Sequence, residues 1–352
     1  MPTADTPYHR SDTTWFREAR WGVFCHYLAA PPSSPTAAPL TPEEWNRQVD
    51  GFDVRGLAEQ LASTGARYFF ITLGQNSGFF CAPNATYDAL VPNRPSRLSQ
   101  RDLVADLYDA LEPHGIRLMV YLPAHAPAYD RAAVEGLRCT PLWDASRWQL
   151  RPGLYLAQPD ADERLSTFQR NWEAVIREWS LRWGNKVWGW WVDGCYYADR
   201  MYRHPDAPNF RFFAEAMKAG NPEALVAFNP GVVVPVVSHS EYEDYTAGEI
   251  ANAFPVMMDS RWNRQDKQEK YWGMPLRDTV DGAQYHILSF LGAYWCGGQP
   301  RFSDELVIGL TRHYNAFGGV VTWDVPIGQE GSRNGLIPEP FARQLQALHK
   351  GL

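Results

Sequence analysis

Several things are scarce in this chain of 352 residues, and each scarcity removes a class of function. The five cysteines, Cys25, Cys81, Cys139, Cys195 and Cys296, are widely spaced and contain no C-x-x-C pair, which argues against a zinc knuckle or a dithiol redox motif. Reduced thiols in a cytoplasmic protein are the expectation. No apolar run is long enough to cross a bilayer, and Met1 to Asp12 is polar, without the apolar centre of a secretory signal. Positive charge is in deficit. Thirty-three Lys and Arg against 40 Asp and Glu leave a net charge of -7, so there is no basic footprint for nucleic acid. Glycine is missing where a nucleotide fold needs it: His26-Tyr27-Leu28-Ala29-Ala30-Pro31 follows the first strand-like run and offers no phosphate loop. His239-Ser240-Glu241 is the nearest approach to a metal-ligand pair. It has no third ligand at a recognisable spacing, so neither a metal nor a cofactor is expected. His204, His286 and His313 stand alone and read as structural or exposed. There is no internal repeat and no low-complexity tract.

Aromatic residues, by contrast, are plentiful. Fifteen Trp and an aromatic content of 14% fit either a sugar-binding cleft or a heavily aromatic core. Short apolar runs alternate with helical spacing along the chain. Trp21 to His26, Arg67 to Leu73, Ile116 to Leu122 and Val187 to Asp193 read as strands. Phe52 to Ser63, Arg101 to Leu111 and Arg164 to Trp183 read as the helices between them. The rhythm continues with Phe210 to Ala219 as helix, Leu225 to Phe228 as strand, and Ser240 to Tyr245 as a sixth strand. Then come Glu305 to Phe317 as helix, Gly319 to Trp323 as strand and Pro338 to His349 as a closing helix. Strand-helix alternation of this kind predicts a parallel α/β architecture. The long loops follow strands, which favours a (β/α)8 TIM-like barrel in one domain, residues 1–352, with no C-terminal β-sandwich.

One segment carries most of the functional signal. Val187-Trp188-Gly189-Trp190-Trp191-Val192 is buried in character and ends on Asp193, then Gly194. A carboxylate is costly to bury alone, so Asp193 belongs at an open strand end, where barrel enzymes collect catalytic side chains. The alternative is that Asp193-Gly194 is only a turn signal.

Five pieces, in order, resemble the catalytic barrel of the α-L-fucosidases of glycoside hydrolase family 29. Trp15-Phe16-Arg17-Glu18-Ala19-Arg20-Trp21-Gly22-Val23-Phe24-Cys25-His26-Tyr27 is similar to the family's WFxxAKFGIFIHWG. Ala66-Arg67-Tyr68-Phe69-Phe70-Ile71-Thr72, with Gly78-Phe79 after it, resembles AKYxxxTxKHHDGF. Arg101-Asp102-Leu103-Val104 with His114-Gly115-Ile116 looks like RDLV…HGLKFGLY, and Trp191-Val192-Asp193-Gly194 like WFDG. Val325-Pro326-Ile327-Gly328 to Gly335-Leu336-Ile337 is similar to NxxPxxDGxI.

The resemblance implies a retaining exo-glycosidase acting on α-L-fucose or a related sugar. Asp193 falls on the nucleophile, and the acid/base is a glutamate downstream: Glu249, with Glu241 and Glu243 as alternatives. It implies that His26 and Trp45 contact the sugar. Trp191 and Tyr196 flank Asp193 as a sugar platform, although Trp191 is equally a core residue because strand positions alternate in direction. The paired histidines of KHHDGF are replaced by Gln75-Asn76, amides that still hydrogen-bond hydroxyls but supply no cation. That change is expected to move specificity more than reaction type. The competing expectations are a sugar-binding barrel without catalysis, and a glycosidase with altered or transglycosylating chemistry. Trp143 and Trp148, in the loop from Pro123 to Pro159, are candidates for a subsite or a subunit contact.

Overall fold

The computed structural model describes residues 7–29, 40–139, 143–144, 149–150, 162, 164–195, 201–251 and 278–352. Its centre is a parallel seven-stranded sheet of β1 (Trp21–Cys25), β2 (Tyr68–Thr72), β3 (Arg117–Pro123), β4 (Val187–Asp193), β5 (Leu225–Phe228), β6 (His286–Phe290) and β7 (Val320–Asp324). The spatial order is β6-β7-β1-β2-β3-β4-β5, so chain neighbours lie side by side from β1 to β5. Ten helices are described: α1 (Thr14–Ala19), α2 (Pro42–Asp50), α3 (Val54–Thr64), α4 (Ala85–Leu90), α5 (Leu103–Leu111), α6 (Arg131–Gly136), α7 (Ser166–Trp183), α8 (Phe210–Met217), α9 (Asp304–Ala316) and α10 (Glu339–Gly351).

The strands read as continuous apolar runs because both faces of the sheet are buried, as a parallel sheet requires. Alternation is nevertheless strict. Phe69 and Ile71, Leu118, Val120 and Leu122, Trp190 and Val192, and Val226 and Phe228 join the large core that also contains the helices. The alternate residues Phe24, Tyr68 and Phe70, Met119 and Tyr121, Trp191, and Leu225 and Ala227 form a second cluster on the inner face, with Phe16 and Ala19 of α1 among them. The register puts Tyr121 beside Trp191 and Trp191 beside Ala227, so these three occupy one level. Gly189 and Gly22 make room here: a side chain at Gly22 would run into the Tyr68 ring, and one at Gly189 into Met119.

Helix starts follow their caps. Asp53 accepts from the Gly56 N–H at 2.8 Å to open α3, and Asp102 from Ala105 at 3.1 Å to open α5. Thr41 and Glu44 form a reciprocal box at α2, with Pro42 in its first turn. Each such cap is worth about 1 kcal/mol.

The expected sixth strand from Ser240 to Tyr245 is a correction. The residues that do its work are 244–250, and they hydrogen-bond to both edges of the sheet without forming a regular strand. Asp244 N–H donates to the Val226 carbonyl at 2.8 Å on one side. On the other, Thr246 N–H donates to Gln284 at 3.0 Å, Leu288 N–H to Gly248 at 2.8 Å and Ile250 N–H to Leu288 at 3.1 Å. The irregularity centres on Gly248, whose φ is 63° and where a side chain would meet the His286 carbonyl. No helix among the described residues is long and apolar enough to cross a membrane.

Candidate active site

Alternation decides which side chains gather at the carboxyl ends of the strands. Counting by twos from the inner-face residues Phe24, Trp191, Ala227 and Val320 leads to His26, Asp193, Asn229 and Asp324. Each ends its strand or lies just beyond it, so four polar side chains converge where the ladder stops.

Asp193 is held from both sides. The Tyr121 hydroxyl donates to its Oδ2 at 2.6 Å, and the Asn229 amide donates to its Oδ1 at 2.9 Å. The same Asn229 Nδ2 donates to Glu249 Oε2 at 2.6 Å. Asn229 Oδ1 accepts from the Gly231 N–H at 3.0 Å, which fixes the amide with its NH2 toward the two carboxyl groups. Two oxygens that share one nitrogen at 2.9 and 2.6 Å lie no further apart than the sum, about 5.5 Å. Burial pushes the Glu249 carboxyl up to about 7, and the charge on Asp193 pushes in the same direction. The Asn229 hydrogen bond and the His26 imidazole oppose the shift less strongly. Glu249 is thus a carboxyl group that keeps a substantial share of its proton near neutrality, beside an aspartate.

Gln75 belongs to the same network. Its Nε2 donates to the Tyr121 hydroxyl at 2.7 Å, so an amide from the loop after β2 supports the tyrosine that holds Asp193. Asn76 binds the neighbouring loop instead: its carbonyl accepts from Tyr129 N–H at 2.8 Å and its Oδ1 lies 3.5 Å from Ala128 N. His26 is buried and its Nδ1 lies 2.7 Å from Asp324 Oδ1, with Asp324 fully enclosed. Asp324 Oδ2 accepts from the Cys296 N–H at 2.7 Å, which brings the 294–297 turn to the site and puts Trp295 5.9 Å from the His26 ring.

Trp191 stacks on Tyr121 with centroids 5.5 Å apart and planes 18° from parallel. It is buried, and its indole N–H donates to the Ala247 carbonyl at 2.9 Å, two residues before Glu249. Of its two readings the core one describes its surroundings, and its hydrogen bond anchors the Glu249 segment. Trp45 is corrected in the same sense. It is 1% exposed, its N–H is committed to the Phe80 carbonyl at 3.0 Å, and Tyr27 and Phe79 cover its ring, so it presents no face to a ligand. Tyr196 and Trp148 lie outside the described residues, as does the side chain of Trp143. The alternatives to Glu249 are elsewhere. Glu241 is exposed. Glu243 is fully buried and accepts from the backbone N–H groups of His239 at 2.6 Å and Phe228 at 3.2 Å.

Four residues here were not anticipated: Tyr121, His125, Asn229 and Asp324. His125 follows β3, where Ala124 N–H donates to the Asp193 carbonyl at 2.7 Å. Its Nδ1 faces the Ala126 carbonyl at 2.8 Å and must carry the proton, leaving Nε2 as the acceptor. Burial holds its pKa below the usual histidine range, so the ring is neutral.

The fold is the one seen in α-L-fucosidase and endo-fucoidan hydrolase structures. The α-L-fucosidase AlfC from Lactobacillus casei, in complex with α-L-fucose, superimposes with a TM-score of 0.62 at 13% identity, covering 96% of this chain and 97% of AlfC. The endo-fucoidan hydrolase MfFcnA4 from glycoside hydrolase family 107 gives 0.66 at 17% identity, and MfFcnA9 gives 0.66 at 16%. This chain spans only 53% and 63% of those two proteins' lengths, while they match 96% of it. No protein-family model matches the sequence, and no curated protein does.

Removing the shared amide tests the geometry. Asn229→Ala is expected to leave the chain folded, free Glu249 from its hydrogen bond, and lower kcat by about 10- to 100-fold, the scale for losing a positioning contact. Single-turnover kinetics on a substrate of the reaction proposed below would measure it. An unchanged kcat would mean that the bridge does not organise the carboxyl pair.

Proposed function

We propose that this protein is a retaining glycoside hydrolase acting on α-L-fucose or a closely related sugar, with Asp193 as nucleophile and Glu249 as acid/base. The observation that carries the proposal is the Asn229 amide shared by two inner-face carboxyl groups, one of them raised to about 7. Retaining enzymes set their carboxyl groups about 5–5.5 Å apart, whereas inverting enzymes leave about 6.5–9.5 Å for a water. The 5.5 Å upper bound favours retention.

In the first step Asp193 attacks the anomeric carbon while Glu249 gives its proton to the leaving oxygen. In the second, Glu249 takes a proton from water, which displaces Asp193. Tyr121 and Asn229 hold the nucleophile in line, and the pair of fixed donors disperses its charge before attack. The eight-position form of the barrel belongs to the same reading, with residues 244–250 occupying the place between β5 and β6. So do the single-domain layout and the fucose-type substrate. The fold likeness and the five sequence pieces support them together. The histidines absent from the loop after β2 have a partial replacement in His125, whose neutral ring leaves Nε2 as an acceptor for a sugar hydroxyl.

The test is hydrolysis of aryl α-L-fucosides beside a panel of other aryl glycosides, followed by proton NMR to read the anomer first released. Turnover of the fucoside with the α-anomer released first is the expected result. First release of the β-anomer would overturn retention. Hydrolysis confined to another glycoside would overturn the sugar assignment, and no turnover on any member would count against the enzyme reading.

A further inference from the structure

Asp324 is fully enclosed in the protein, and no step of the proposed reaction uses its carboxylate. It ends β7, where the register places it between Phe24 of β1 and Phe290 of β6. The backbone is fixed on both sides: Val325 N–H donates to the Phe24 carbonyl at 2.9 Å, and Leu291 N–H to the Asp324 carbonyl at 2.9 Å. The two carboxylate oxygens have different partners. Oδ1 accepts from the His26 ring at 2.7 Å, and Oδ2 from the Cys296 N–H at 2.7 Å. A carboxylate only accepts, so the proton between Asp324 and His26 sits on Nδ1. Nε2 is then the ring nitrogen left for a ligand, an acceptor in the neutral ring and a donor in the charged one. Among the described residues nothing bonds Nε2, and the ring, 6% exposed, is not sealed off at that atom.

The Oδ2 contact holds another part of the site. Tyr294 and Gly297 close a tight turn through N–H to carbonyl bonds of 3.2 and 3.5 Å, and Cys296 inside it has a φ of 54°. That backbone is unfavourable for a residue with a side chain and persists only where its surroundings impose it. The bond from the Cys296 N–H to Asp324 is a contact that does so. Trp295, the preceding residue, is laid beside Phe290 with centroids 4.8 Å apart, lies 5.9 Å from the His26 ring, and stays partly exposed. An apolar residue would fill the same core space without the desolvation that a buried carboxylate suffers. The carboxylate is instead committed to a histidine with an unengaged nitrogen and to the turn of a partly exposed indole.

We propose that Asp324 is a positioning residue for the sugar site: it fixes the His26 proton on Nδ1 and seats the turn that carries Trp295, so that ring nitrogen and indole are presented together. The proposal rests on the glycosidase reading above. It adds that Asp324 acts through His26, as a carboxylate behind a working histidine sets its tautomer and orientation.

The test is Asp324→Asn, read first without substrate. The amide offers one acceptor oxygen where the carboxylate has two, and a donor in the other place, so one of the two N–H groups loses its partner. In nitrogen NMR of the wild type the neutral His26 ring is expected as the Nδ1–H tautomer. In the variant either that tautomer switches to Nε2–H, or the Trp295 indole resonance, assigned by its absence in Trp295→Phe, moves. A wild-type ring in the Nε2–H form would overturn the proposal without any variant, which keeps it testable if Asp324→Asn folds poorly. Both signals unchanged in a folded variant would overturn it as well. Kinetics on the aryl α-L-fucoside give a second reading. Asp324→Asn and His26→Ala are each expected to lower kcat/KM by about 10²-fold, the scale for a misplaced contact group. Independent groups would lose the product of the two factors in the double variant; a loss well short of that product is expected, and the full product would make Asp324 merely structural. Absence of turnover on every glycoside would count against the glycosidase reading, while the ring and indole signals still decide the positioning.

Discussion

With Asp193 as the proposed nucleophile, asparagine in its place is expected to lower kcat/KM on an aryl α-L-fucoside by about 10⁴-fold, the scale for deleting a nucleophile from a catalytic set, with little change in Tm. The side chain keeps its shape. Its carbonyl still accepts from Asn229, and Tyr121, which donates at 2.6 Å in the native protein, can rotate its hydroxyl to accept from the new amide. Only the negative charge goes. That loss has a second consequence, because the Asp193 charge is one of the two forces raising Glu249. The titration of Glu249 in Asp193→Asn is therefore expected to move toward the ordinary carboxylate range, with burial alone still opposing it. Kinetics and a carboxyl titration by carbon NMR would read the two effects on one sample. Activity within tenfold of wild type would remove Asp193 from the mechanism, and an unmoved Glu249 titration would mean that the two groups are not electrostatically linked.

What the sequence made legible was the part in which local pattern and tertiary role agree. The run from Val187 to Val192 is apolar on both faces because the sheet is covered on both faces, and its terminal Asp193 lies at the strand end where the charge is tolerated. The helices after β1, β2 and β3 start and stop near their expected places because Asp53, Asp102 and the glycines at 65 and 184 carry the signals locally. The rest depends on which distant residues meet. Asn229 sits in Asn229-Pro230-Gly231, which reads as a turn. Only the register of β5 against β4 reveals that its amide reaches two carboxyl groups. Asp324 precedes Val325-Pro326 in a loop-like context, and its role appears only when β7 lies beside β1 and its carboxylate meets His26. The segment 244–250 alternates only as far as Tyr245 and Ala247, too short a pattern to reveal it, and a glycine at positive φ and bonds to two separate strands replace a regular ladder. Trp45 erred in the opposite direction. A motif match gave it a ligand, whereas an indole that finds a backbone carbonyl in the core satisfies the same polar need. Gln75 stands where the resembling family has a histidine, and its amide is bonded to Tyr121, one bond removed from Asp193.

Glu249→Gln is the second large effect, and pH separates its chemical part from its structural part. In the proposed role of general acid Glu249 must be protonated, and its pKa is raised from the usual 4.5 to about 7. Wild-type kcat/KM on a glycoside with a poor leaving group is therefore expected to hold below that value and to fall tenfold per unit well above it. Glu249→Gln is expected to lose about 10²- to 10⁴-fold on that substrate and to lose the alkaline limb with it. On a 2,4-dinitrophenyl glycoside, which departs without a proton, the first step survives and the glycosyl-enzyme accumulates as a burst. Stability moves the other way. A carboxyl whose folded-state pKa lies above its unfolded value contributes stability that is complete below the unfolded pKa and is lost as pH rises through the folded one. For Glu249 that window runs from about 4.5 to about 7. The glutamine variant has no proton to lose, so its Tm is expected to exceed that of the wild type by a margin that widens from pH 5 to pH 8. The free-energy gap at the upper end is on the order of 1–3 kcal/mol. Glu243, also pushed up by burial, to about 8, titrates in both proteins and drops out of the difference. A constant Tm difference across that range would show that Glu249 is ionised throughout, and with the alkaline limb still present in the variant the acid role would pass to another group.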